Sequence, residues 1–234
     1  MVITPETSVR EIVTAFPATI PLLERFGIDY CCGGARTLTE ACGRRNIDVN
    51  EVVTAIERQE EASETPVWTS LGELCGYITN HHHAYTRRQL NLIAGLLAKV
   101  QQVHGAAHPE LIPIGQAFAA IQAELTHHFH CEEDVLFPYI TKLEQSPASA
   151  HLPMFQSLHQ PVQRMLAEHD QAGEKLGQLR DNTNNYRPPS DACTTFRALW
   201  RAFEALERDL HLHIHLENNI LFPRALALTE EVLR

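Results

Sequence analysis

The feature that constrains the fold most is an eleven-residue stretch that occurs twice, as HFHCEEDVLFP from His128 and as HIHLENNILFP from His213. Six of the eleven positions are identical, and the two copies begin 85 residues apart (213 minus 128). Each copy carries a His and a Glu four residues apart, which gives the pairs His128–Glu132 and His213–Glu217. On an α-helix this spacing puts both side chains on one face, one turn apart. Two such faces predict a metal site built from helices.

A weaker repeat supports the first one. His83 and His169 are 86 residues apart (169 minus 83), nearly the same offset. Four helices would then alternate between a single His and a His-x-x-x-Glu pair, and a pseudo-two-fold bundle would bring all of them to its axis. Imidazole and carboxylate together suit iron or zinc. Helical phase does not separate His82 from His83, although the repeat offset favours His83. The predicted ligands of two glutamate-bridged ions, each with two His, are His83, His128, Glu132, His169, His213 and Glu217.

A further acid precedes each copy of the motif by one helical turn, Glu124 before His128 and Asp209 before His213. These carboxylates would either orient the ligands or relay protons, or they would simply solubilise a helix surface. Both interpretations stay open, and Glu124 remains a candidate catalytic residue.

Composition excludes several classes of function. The net charge of −10 argues against a nucleic-acid groove, which needs a basic patch. The sequence has no apolar run of the roughly 18 residues that a membrane helix needs. No apolar leader follows Met1, so we expect a cytoplasmic protein whose six Cys are thiols or ligands. A length of 234 residues fits one or two domains.

Taken in order, the chain divides into three parts. Residues 1–62 predict a small helical domain, residues 63–69 a linker, and residues 70–234 a bundle of four long helices. Pro138 should kink or shorten the second long helix because proline lacks the amide donor. Pro161 is expected to be the first residue of the third.

Local signals in the first part predict where its helices begin and end. Ser8 can cap a first helix, with Glu11 as its capping-box partner. Gly27 should stop a second helix, and Thr37 and Asp48 should cap two more.

Two adjacent thiols, Cys31 and Cys32, lie in the loop DYCCGG that begins at Asp29. Adjacent cysteines do not readily form a relaxed disulfide, and two cysteines do not complete a tetrahedral metal site. Buried packing residues are one interpretation. Their place in a glycine loop favours the other, a reactive or iron-handling pair and a second candidate catalytic group.

Three segments together resemble a known family. DYCCGG from Asp29, EHD from Glu168 and LENNILFPRA from Leu216 resemble the iron–sulfur cluster repair di-iron proteins, the RIC, YtfE or ScdA family. The resemblance covers essentially the whole chain. It implies an all-α protein with an N-terminal ScdA-type domain and a C-terminal hemerythrin-like four-helix bundle. The family's ligands fall on the same six residues, and among the two adjacent histidines the family assigns His83.

The resemblance also implies a function. The cofactor would be two iron ions in an oxo-bridged, non-haem centre, and the activity would be repair of clusters damaged by nitrosative or oxidative stress, by supplying iron or by acting on nitrosylated clusters. Partners would be damaged iron–sulfur proteins, with nitric oxide or oxygen as small ligands and neither nucleic acid nor membrane. A homodimer stays open. The alternatives are a nitric oxide reductase and a hemerythrin-like sensor of oxygen or nitric oxide.

Two positions argue against an oxygen carrier. Such carriers resemble one another in a second His four residues after the one on the third helix, where this chain has Gly173. Their last motif ends in Asp five residues after its His, whereas Glu217 here follows His213 by four.

Overall fold

The computed structural model describes residues 2–58, 68–145 and 158–232, and these residues are almost entirely helical. Within them, the only extended pairing is a single bridge between Ser8 and Thr37, so the predicted all-α class is confirmed. The α-helices are α1 Val9–Ala15, α2 Ile20–Arg25, α3 Leu38–Gly43, α4 Val49–Glu57, α5 Leu71–Tyr77, α6 Ala84–His104, α7 Leu111–Cys131, α8 Phe137–Gln145, α9 His159–Asn182, α10 Thr194–His215 and α11 Phe222–Val232.

The first four helices begin where the sequence predicts. The Ser8 hydroxyl accepts from the Glu11 amide while the Glu11 carboxylate accepts from the Ser8 amide, and Thr37 makes the same reciprocal box before α3. Asp48 caps α4. Gly27 ends α2 with a positive φ of 65°, a conformation that glycine adopts without steric cost.

The long helices α6, α7, α9 and α10 form the predicted bundle, in which α6 packs on α10 and α7 on α9. An apolar core of buried residues such as Phe118, Phe129 and Phe203 fills the half of the bundle distant from the ligand motifs. Helix α9 begins at His159, so Pro161 is its third residue rather than its first. None of the described residues forms a helix both long and apolar enough to cross a membrane.

Three π-helical segments interrupt the bundle, and the sequence analysis predicts none of them. They are π1 Ile78–His83, π2 Glu132–Leu136 and π3 Leu216–Leu221. In π2 the amide of Phe137 donates to the carbonyl of Glu132, five residues back, and Phe222 donates to Glu217 in the same way. Each wide turn lies directly before the motif's proline, so the missing amide does not end the helix. Helix α8 therefore continues through Pro138 to Gln145.

The N-terminal region packs on the start of the second motif. Its core, which includes Ile12, Leu23 and Tyr30, takes in Ile214 of α10. Residues 63–67 of the predicted linker, and the loop predicted around Pro147 and Pro153, lie outside the described residues.

Candidate metal centre

The six residues predicted as ligands converge in the structure as two sets of four. One set is His83, Glu132, His213 and Glu217, and the other is His128, Glu132, His169 and Glu217. Within each set the donor atoms lie within 4.8 Å of one another, and every residue is buried. Both glutamates belong to both sets, which is the arrangement that two carboxylate-bridged ions require.

The outer nitrogen of three of these histidines is held by an acceptor. Nδ1 of His83 lies 2.7 Å from the Glu133 carboxylate, and Nδ1 of His128 lies 2.8 Å from Glu168. An ionised carboxylate only accepts, so each Nδ1 carries the proton. The neutral ring then presents the lone pair of Nε2 to the interior, as a metal ligand must.

Arginines fix these two carboxylates in turn. Arg87 grips Glu133 with two hydrogen bonds of 2.8 and 3.0 Å, and Arg164 donates to Glu168 at 2.8 Å. The hydrogen bond from His128, together with Arg164, lowers the pKa of Glu168 to about 2, so Glu168 is an acceptor at neutral pH.

His169 is oriented by an amide instead. Its Nδ1 lies 2.7 Å from Oδ1 of Asn218, whose Nδ2 donates to the Cys31 carbonyl at 3.3 Å. Since the amide nitrogen is engaged by a carbonyl, its oxygen is the acceptor for His169. The Nε2 lone pair of His169 therefore also points into the site.

The inward nitrogens approach each other closely. Nε2 of His83 is 3.1 Å from Nε2 of His213, and Nε2 of His169 is 3.0 Å from Nε2 of His128. Burial, followed by the neighbouring His213, lowers the pKa of His83 to about 4, so this ring is neutral at pH 7. Facing lone pairs repel, and a cation placed between them converts that repulsion into coordination. The donor set thus fits a pair of metal ions.

The glutamates lead to the same conclusion. Glu132 is fully buried, and neither of its carboxylate oxygens has a hydrogen-bond donor within the described chain, although Nε2 of His128 and of His83 lie 3.2 and 3.4 Å away. Buried carboxylates without donors are costly unless a metal or ion partner neutralises them. Burial opposes ionisation of Glu217, yet His213 and His169 hold its pKa well below the usual range.

Neighbouring candidates lie elsewhere. His82 turns away from the cluster, and its Nδ1 contacts Asp209 at 3.1 Å, so the structure places His83 rather than His82 in the donor set. Glu124 is exposed and pairs with Lys175. Both acids therefore have partners of their own outside the six residues.

The cysteine loop lies against this centre. Cys32 Sγ is 3.5 Å from the carbonyl oxygen of His169, and Asn219 donates to the Tyr30 carbonyl at 2.9 Å. Cys31 is buried and Cys32 is partly exposed. The interpretation of both as inert core residues fits Cys31 better than Cys32.

Sequence reasoning missed the residues that orient the histidines: Glu133, Glu168 and Asn218. Two of them could have been found, because Glu133 and Asn218 occupy the same repeat position, directly after the ligand glutamates. Glu168 is distant from His128 in sequence, and only the packing of α7 on α9 reveals its role.

Comparisons with known proteins agree with this geometry. Residues 77–225 match the hemerythrin HHE cation-binding domain family, and residues 5–60 match ScdA_N, a domain of unknown function. The chain is 36% identical over 221 residues to the iron-sulfur cluster repair protein YtfE of Escherichia coli O157:H7, which covers 93% of this chain and 95% of the relative. It is 35% identical to the protein of the same name from Yersinia pestis (strain Pestoides F), over 94% of this chain and 96% of the relative.

The fold and the doubled His/Glu centre define a hemerythrin-type, cation-binding four-helix protein, a class that implies iron binding. Within that class, the chain belongs to the YtfE-type family of iron-sulfur cluster repair proteins. The predicted family is therefore confirmed.

Proposed function

We propose that this protein repairs iron–sulfur clusters damaged by nitrosative or oxidative stress, with damaged iron–sulfur proteins as its clients. The observation that carries the proposal is the pair of four-donor sets that share Glu132 and Glu217. Its relatives are named for cluster repair. The finer expectations belong to this proposal: a cytoplasmic protein with the N-terminal domain at 1–62 and the bundle at 70–234.

We further propose that the centre holds two iron ions, joined by an oxo bridge, with His83 and His213 on one ion and His128 and His169 on the other. When bound, the pair supplies one-electron redox chemistry and positions for small ligands. The chain's own residues orient the imidazoles through Nδ1, neutralise charge through two glutamates and exclude water by burial.

Protein ligands are few, since each ion has two imidazoles and a share of two carboxylates. With Gly173 in place of a further histidine, each ion keeps positions for exogenous ligands. Such a centre suits iron that reacts or leaves more than a stable oxygen carrier.

The direct test uses an enzyme whose iron–sulfur cluster has been inactivated with nitric oxide. Purified, iron-loaded protein should restore its activity, and Glu217→Ala, with its centre disrupted, should not. Equal recovery with wild type and variant would contradict the proposal, and elemental analysis showing one zinc and no iron would exclude the di-iron centre.

One observation favours a second candidate, nitric oxide reduction at the same centre. A cleft of about 320 Å³ reaches His128, His169 and His213 and is lined by Leu125, Ala172 and Ile214. Apolar walls suit a neutral diatomic gas. Nitrous oxide formed catalytically from nitric oxide, measured by gas chromatography without any client protein, would support this activity over repair.

A further inference from the structure

The loop at Asp29 places three potential metal donors together outside the His/Glu centre. The sulfurs of Cys31 and Cys32 are 3.8 Å apart, and Oδ1 of Asp29 is 3.4 Å from Sγ of Cys31. All three donor atoms lie within 4.8 Å of one another. A tetrahedral ion with metal–sulfur bonds of about 2.3 Å separates two sulfurs by about 3.8 Å, and a sulfur from an oxygen by about 3.6 Å. The loop therefore holds these donors close to the spacing that such an ion needs.

Glycines make this spacing achievable. A Cβ on Gly33 would lie 2.9 Å from the main-chain oxygen of Asp29, and one on Gly34 would lie 2.8 Å from Oδ1 of Asn219. Both distances are shorter than side chains tolerate. The two glycines are needed for close approach, because Gly33 lets the loop fold back on Asp29 and Gly34 lets it dock on the bundle.

Asp29 also holds the thiols in place. Its Oδ1 accepts the backbone amides of Cys31 at 3.1 Å and of Cys32 at 3.0 Å. The amides leave lone-pair capacity on the carboxylate, which can accept several partners at once. An ion bound here would find a donor set that is already organised.

The site lies beside the His/Glu centre and is open to solvent. At Gly173 a Cβ would lie 3.7 Å from Cys32 Sγ, so the absence of a side chain leaves room for the sulfur. Asp29 is exposed, and the thiols line a cleft of about 820 Å³ between the N-terminal region and helices α9 and α10. An ion could enter from the cleft and lie one residue away from a ligand of the main centre.

We propose that Asp29, Cys31 and Cys32 form a separate site for one thiophilic divalent cation, with its fourth position open to a ligand from another molecule. Thiolate and carboxylate select a soft or borderline ion such as Fe²⁺, Zn²⁺ or Co²⁺. Binding forms two metal–sulfur bonds and one metal–oxygen bond and releases two thiol protons to solvent, with no change of oxidation state. Under the proposed repair function, on which this reading rests, the ion is iron in transit.

The test is an anaerobic titration of the reduced, iron-loaded full-length protein with Co²⁺. Wild type should bind one cobalt with an intense sulfur-to-cobalt charge-transfer band, while its iron content stays unchanged. Cys31→Ser and Cys32→Ser should each weaken or abolish the band. Cys193→Ser, which removes an exposed thiol at the start of α10, should leave the band intact.

Asp29→Asn tests the oxygen donor separately. The amide keeps Oδ1 as an acceptor for the loop but removes its charge, so cobalt should bind at least about tenfold more weakly, the loss seen even for outer partners of a metal site. Thermal unfolding should match wild type. A wild-type protein without the band, or a band that survives in Cys31→Ser/Cys32→Ser, would overturn the site. Cobalt binding without any cluster repair would instead overturn the proposed function alone.

Discussion

The two copies of the ligand motif perform the same metal-binding role but face different surroundings. In the first copy Glu132 is followed by Glu133 and Asp134, and in the second Glu217 is followed by Asn218 and Asn219. Glu133 supports His83 and Asn218 supports His169 from equivalent positions. The ligand geometry is thus conserved between copies while its supporting chemistry differs.

The difference decides where the N-terminal region docks. A carboxylate only accepts hydrogen bonds, whereas an amide also donates. Asn218 and Asn219 donate to the carbonyls of Cys31 and Tyr30, and Asn219 also accepts from Arg10 at 2.8 Å. The carboxylates of the first copy could not make these donations, so only the second copy can hold the cysteine loop.

A third position follows the same division. His130 of the first copy is exposed beside Asp134. Its counterpart His215 is buried, with its ring 5.8 Å from Tyr30 in an edge contact. One sequence position is therefore a surface residue in one copy and an interface residue in the other.

The largest expected effect tests what the copies share. Glu132→Ala and Glu217→Ala should each lower the affinity for both irons, since each glutamate belongs to both donor sets. Removing one charge from a buried set costs roughly 3–5 kcal/mol, which is about two to three orders of magnitude in affinity. Iron per chain after dialysis against a weak chelator measures this. Glu124→Ala, on the same helix but exposed, is the control, and a loss of only one ion in either variant would break the symmetry.

The next effect tests the supporting residues. Glu133→Ala and Asn218→Ala should each reduce iron affinity about 10- to 100-fold, the usual result of removing a ligand's outer partner. Competition with a chelator of known affinity provides the measurement.

Asn218→Asp separates the two roles of that residue. It keeps an acceptor for His169 but loses the donor to Cys31, so iron affinity should hold while Cys32 is alkylated faster. Unchanged alkylation would mean that this amide does not hold the loop.

A smaller effect concerns docking alone. Asn219→Asp removes the donor to Tyr30 and leaves a buried carbonyl unpaired, at a cost of about 1–3 kcal/mol in the free energy of unfolding. Chemical denaturation of the iron-loaded protein, with iron content checked before and after, measures it. A loss below about 0.5 kcal/mol, typical of surface sites, would show that docking does not depend on this amide.

The smallest effect is the mirror substitution in the first copy. Asp134→Asn alters an exposed residue whose recorded partner is the exposed His130, so stability should change by less than about 0.5 kcal/mol. The same denaturation experiment checks it. A change as large as that of Asn219→Asp would contradict the division between the two copies.

The sequence by itself determined the helical class, the capped N-terminal helices and the six residues that converge. These follow from local rules and from a repeat: capping chemistry acts over three residues, and an i, i+4 pair shares a helix face wherever it occurs. The choice of His83 over His82 needed the offset of a second, weaker repeat.

Only the tertiary structure decided the rest. The π segments arise where two helices must aim ligands inward and pass a proline, and no local pattern predicted that widening. Glu168 supports His128 because α7 packs on α9, and Asp29 meets Cys31 because Gly33 lets the loop fold back. Such contacts join residues through packing, so periodicity cannot reveal them. The docking of the cysteine loop on Asn218 and Asn219 is likewise a property of two surfaces meeting.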